Sequence, residues 1–92
     1  MPALRPKLTH RTTKDGGAVF RFTSRQQGTR FECRLHGRGV PKKLKRWNQR
    51  CSSPKRYAHL APGRKVFEVW TVLGHRTSGA ARYTWNVPAA RR

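Results

Sequence analysis

Two stretches of period-two alternation, at 18–24 and 29–36, constrain this chain more than any other feature. In the first, Ala18, Phe20 and Phe22 fall on one side and Val19, Arg21 and Thr23 on the other. In the second, Phe31, Cys33 and Leu35 oppose Arg30, Glu32, Arg34 and His36. Successive side chains leave a pleated strand on opposite faces, so this pattern marks half-buried strands. No window repeats apolar residues at i, i+3, i+4 and i+7 between caps, so no helix of ordinary length is expected. Turn residues punctuate the segments: Asp15-Gly16-Gly17, Gln26-Gln27-Gly28, Ala61-Pro62-Gly63 and the loop 74–79. Further strands are predicted at 4–8, where Pro6 confines the segment to an edge, and at 55–60. The window 65–73 is apolar on both faces, and 81–87 sets Tyr83, Trp85 and Val87 against Arg82, Thr84 and Asn86. About seven short strands separated by turns predict an all-β chain, an antiparallel sandwich or barrel.

A chain of 92 residues is one domain's worth. It divides into a basic N-terminal segment with a weak edge strand (1–14), the β domain (15–87) and a basic tail (88–92). Its nine aromatic residues argue for a real core. A domain this small buries only about 60–65% of its unfolded surface, so its stability should be modest.

Charge is the other constraint. Lys and Arg number 22, Asp and Glu only three (Asp15, Glu32 and Glu68), for a net charge of +19. So few acids argue against paired-carboxylate chemistry and against a calcium or magnesium cage. No apolar run approaches the ~20 residues that cross a bilayer as a helix. Two cysteines with scattered His10, His36, His59 and His75 lack the paired short spacings of a zinc site, so no metal or other cofactor is expected. A small basic nuclease would need a His or Glu base with an Arg beside the phosphate, and the spacing selects no such pair. Glu32 and Glu68 are read as facing outward.

The stretch 38–56 holds eight of the 22 cations: Arg38, Lys42, Lys43, Lys45, Arg46, Arg50, Lys55 and Arg56. Such groups neutralise phosphates and release condensed counterions, giving affinity without sequence preference. Aromatic residues among cations can stack on unpaired bases. Trp47 lies inside the run. Trp70 lies opposite Phe67, Val69 and Thr71, and is a stacking platform if exposed; burial under a loop or a neighbouring subunit is the alternative. The expected partner is nucleic acid or another polyanion, and a nucleoprotein or virion assembly would fit. The first residues have no apolar core of a secretory signal, which predicts a cytoplasmic protein. Should the chain be a module of a larger protein, a secreted or cell-surface location is the alternative.

The order of several segments is familiar. Phe31-Glu32-Cys33-Arg34-Leu35-His36-Gly37, then Trp47 and Cys51-Ser52-Ser53-Pro54, then Tyr57, Leu60, Gly63 and Phe67-Glu68-Val69, and finally Tyr83-Thr84-Trp85-Asn86-Val87 form one series. It resembles bacterial immunoglobulin-like modules, with their FECSLDG…W..C.SP…Y.W.V pattern, over roughly residues 15–87. The resemblance implies a seven-stranded immunoglobulin-like sandwich, a bond between Cys33 and Cys51, and binding or spacing in place of catalysis. The alternative is two buried thiols in a reducing cytoplasm. The chain departs from the pattern in its longer, basic segment between the cysteines, in His36 where the family has an acidic turn residue, and in Leu73-Gly74-His75-Arg76 where the family has an acidic turn. The expected function is therefore a non-enzymatic binding module for nucleic acid or another polyanion, acting through the 38–56 loop and the Arg/Lys faces. The alternative is an extracellular adhesion or spacer module that binds cell-wall polymer or a protein partner.

Overall fold

The structure is a computed structural model describing residues 5–13, 16–45 and 49–88. Two antiparallel sheets carry the chain. The first has the order β1-β2-β5, from β1 (Lys7–Thr12), β2 (Ala18–Thr23) and β5 (Lys55–Tyr57). The second is built on β6 (Gly63–Leu73), flanked by β3 (Arg30–Gly37) on one side and by β7 (Arg76–Thr77) and β8 (Ala81–Val87) on the other. The short β4 (Arg50–Cys51) extends this sheet beyond β3. The only helix among the described residues is a single turn, α1 (Lys42–Lys45).

The alternation decides which faces meet. Phe20 of β2 stacks on Phe67 of β6 with ring centroids 4.0 Å apart and planes at 7°. Ala18, Phe22, Cys33, Leu35, Val40 and Val69 complete the buried core cluster. β6 is paired along both edges, and all its residues from Lys65 to Val72 are buried, which is why it reads as apolar on both faces.

Three sequence expectations change in detail. The first strand does not occupy 4–8; it starts after Pro6, which has no N–H to give a ladder, and runs to Thr12. Its inward set is only Leu8, His10 and Thr12, too weakly apolar to stand out, yet each lies opposite a core residue: Phe22, Phe20 and Ala18. The strand expected at 55–60 stops at Tyr57. β4 and β7, at two residues each, are too short for any periodicity to reveal.

Cys33 and Cys51 are bonded, with Cα atoms 6.1 Å apart. The bridge joins neighbouring strands of one sheet, since Cys51 lies opposite Phe31 in the β3–β4 ladder. It closes the basic segment at its base. Replacing both cysteines by serine is expected to lower unfolding free energy by about 2–3 kcal/mol, the cost of freeing a loop of this length in the unfolded chain. Urea melts of the variant and of the oxidised protein measure it; coincident midpoints would mean that the bridge does not constrain the chain.

Within that segment the chain leaves β3 at Gly37, whose φ is +130°. A side chain there would run into the Arg64 carbonyl, which accepts a hydrogen bond from the Arg38 N–H at 3.0 Å. Val40 is buried, and Leu44 packs against the core one helical turn later. Val40 just before the helix and Leu44 within it both pack on the core, which holds α1 beside β3 and leaves Lys42, Lys43 and Lys45 exposed.

Candidate nucleic-acid interface

The two described acids, Glu32 and Glu68, are both withdrawn from the surface. Glu68, on the outer face of β6, is 3% exposed. Its Oε1 accepts from Arg34 Nε at 2.6 Å and lies 3.2 Å from His36 Nε2. Its Oε2 accepts from Arg82 Nε at 2.9 Å and from Arg82 Nη2 at 2.7 Å. The ladder dictates this arrangement, because Arg34 and Arg82 are the direct cross-strand neighbours of Glu68 on β3 and β8. Burial alone would push the carboxyl pKa up, but the hydrogen bonds and charges of Arg34 and Arg82 outweigh it and hold it below the usual value. Glu32 is also buried, and accepts from the Trp70 indole N–H at 3.1 Å. Both glutamates do project from the outer face of their sheet, as the alternation implies, but neither meets water freely.

The structure thus brings His36, Glu68, Arg34 and Arg82 together, a grouping that no spacing in the sequence singles out. Its chemistry is that of a tied ion cluster. Both carboxylate oxygens are engaged and the acid is held ionised, which makes Glu68 a weak proton acceptor. Among the described residues no group of three His, Cys, Asp or Glu side chains is arranged to hold a metal ion.

Trp70 is not the stacking platform that the sequence allows. It is 5% exposed, bonded to Glu32, and lines a shallow cleft with Thr77, Ser78 and Ala80. The segment after β7 is held alongside β6 there: the Ser78 N–H donates to the Thr71 carbonyl, and the Thr71 N–H donates to Ser78 Oγ. Burial under a loop, the alternative for this residue, is what the fold adopts. Trp47 and Arg46 lie outside the described residues.

The cations take the opposite course. Every described lysine and arginine except Arg34, Lys55 and Lys65 is exposed. Lys65 is fully buried on the inner face of β6, where its ammonium donates to the Gly63 carbonyl at 3.2 Å. Burial, with the nearby Arg38 charge, lowers its pKa.

The 38–56 run does not form one projection. Arg38 lies along Gly63, where its aliphatic carbons occupy the space a side chain would need. Lys42, Lys43 and Lys45 stand on α1 at the β3 edge, and Arg50 sits on β4 opposite Glu32. The chain then crosses to the other sheet. There Lys55 is half-buried with its ammonium 5.4 Å from the Tyr57 ring centroid, and Arg56 emerges on the far face. The physical reason is the fold itself: a stretch that holds β4, a crossover and β5 cannot stay on one side of the molecule.

A second basic surface appears, an Arg/Lys face whose residues the sequence does not single out. On the outer face of the three-stranded sheet, Arg11, Val19 and Arg56 share one row, Thr9 and Arg21 the next, and Lys7 and Thr23 the third. Each row carries a cation and none carries an acid. Rows on one face are spaced by about 6.8 Å, two residues of an antiparallel strand. The signal is present in the outward set Lys7, Thr9, Arg11 of the first strand, but a strand expected at 4–8 does not pair that set with Arg21. No family model, curated protein or solved structure matches the chain.

Proposed function

We propose that this chain is a non-enzymatic immunoglobulin-like module that binds nucleic acid through its phosphates, chiefly on the outer face of the β1-β2-β5 sheet, with α1 in a secondary role. The observation that carries this reading is the sorting of charge. Glu32 and Glu68 are drawn into the five-stranded sheet, and the face formed by Lys7, Arg11, Arg21 and Arg56 holds cations alone. Rows of cations at strand spacing suit an extended phosphodiester backbone, and with only Thr9, Thr23 and Val19 between them the face offers hydrogen bonds and no base-reading aromatic. Binding by this surface is therefore indifferent to sequence. The Cys33–Cys51 bridge and the two facing sheets support the immunoglobulin-like assignment.

Two triple variants test the placement. R11A/R21A/R56A is expected to flatten the slope of log affinity against log salt by about 2–3, one for each phosphate that is no longer neutralised. K42A/K43A/K45A is expected to flatten it by less. Equal changes in fluorescence-anisotropy titrations would mean that charge acts diffusely. Stronger retention on an anionic cell-wall polymer than on DNA or RNA of similar charge density would favour an adhesion module.

A further inference from the structure

The geometry points to a discrete phosphate-binding site at the entry to β1, formed by Arg5, Lys7, Thr23 and Arg25. These residues and Pro6 line a cleft of about 480 Å³. Its construction follows from the β1–β2 register. Lys7 lies opposite Thr23 in the last pair of the β1–β2 ladder, and Arg5 and Arg25, two residues beyond that pair on the two chains, line the same cleft. Pro6, between Arg5 and Lys7, is buried and fixes the chain direction. Three exposed cations thus share one cleft, with no carboxylate in its lining.

Three like charges gathered around one cleft repel one another, so this cluster gains from an anion that sits among them. The donors suit a phosphoryl group: two planar guanidinium forks, an ammonium point charge and a hydroxyl. A second feature concerns Arg5 alone. A Cβ built on Gly79, in the connection from β7 to β8, would lie 2.9 Å from Arg5 Nη2 and 3.4 Å from its Nε. The bare glycine lets the guanidinium rest against the other sheet's loop, so Arg5 spans the two sheets at the cleft. The site rests on the nucleic-acid reading and deepens it, giving that face a terminus that holds one phosphoryl group, from free phosphate or from the polymer.

Inorganic pyrophosphate, added at constant ionic strength, separates this site from diffuse charge. Saturable shifts of the Arg5 and Arg25 Nε–H resonances and a rise in Tm are expected. R25A should weaken binding about tenfold or more, as for loss of a charge-assisted hydrogen bond. G79A leaves the net charge at +19 but displaces Arg5, and should weaken pyrophosphate binding severalfold. K42A/K43A/K45A should leave it unchanged. Shifts that never saturate, or equal losses in R25A and in the α1 triple variant, would overturn the site. Oligonucleotides with and without a 5′-phosphate identify the source: tighter binding of the phosphorylated form, abolished in R25A, assigns the site to a strand end, and no difference assigns it to free phosphate. A saturable pyrophosphate site in a protein that ignores oligonucleotides would sink the nucleic-acid function and leave the cleft standing. Oligonucleotide binding without a pyrophosphate site would do the reverse.

Discussion

Affinity for DNA or RNA is expected to fall by about 10³–10⁵-fold between 50 and 200 mM salt, the loss that follows when roughly six to ten phosphates are neutralised. The surface carries enough cations for that: the outer face of the three-stranded sheet offers Lys7, Arg11, Arg21 and Arg56, Arg25 extends it, and α1 adds three lysines. Because the described glutamates are buried, no exposed carboxylate among the described residues competes with phosphate for these side chains. Release of condensed counterions then dominates the binding free energy. Titrations at four salt concentrations with a mixed-sequence oligonucleotide give the slope directly. A slope near zero would remove the electrostatic account, and with it the proposed function.

Glu68→Gln is expected to destabilise the fold by about 3–4 kcal/mol, near the lower end for removing one partner of a buried ion cluster. The glutamine would present an amide N–H₂ to Arg34 or Arg82 and leave a guanidinium without its anion. The loss is not larger because the Arg82 side chain is 62% exposed and can turn to water, whereas that of Arg34, at 20%, has less freedom. The same cluster sets a pH signature. Glu68 titrates below its ordinary value of 4.5 in the folded protein, so the folded state binds its proton less tightly than the unfolded state. Its contribution is therefore complete above that ordinary value and is lost as pH falls through the depressed folded value. Melts from pH 7 downward should show the wild type losing its advantage over E68Q in that acid window. A constant gap between the two across the series would mean that Glu68 binds its proton equally in the folded and unfolded states, and that Arg34 and Arg82 do not favour its ionised form.

These two results probe features of unequal visibility in the sequence. The alternation at 18–24 and 29–36 is enough to place β2 and β3 and to say which side chains face the core, because pleat geometry is local. β6 is legible for a different reason, as an apolar run bounded by turn residues that marks a strand covered on both faces. The first strand is not, since Leu8, His10 and Thr12 look like a loop until Phe22, Phe20 and Ala18 lie beside them. Trp70 shows the limit most plainly: alternation puts it correctly on the outer face, but its burial depends on Glu32 across the ladder and on the loop through Ser78, neither of which is near it in the chain. The 38–56 run misleads in the opposite sense. Its cations are adjacent in sequence, which suggests adjacency in space, and the crossover from β4 to β5 separates them.

The sequence by itself determined an all-β chain with a large excess of positive charge, because strand periodicity and net charge are sums over residues that need no knowledge of where the chain goes. Only the tertiary structure decided which cations share a surface, that Glu68 sits between Arg34 and Arg82, and that Arg5 stands near Arg25. Those placements are cross-strand ones, and a register between strands distant in sequence exists only once the sheets have formed.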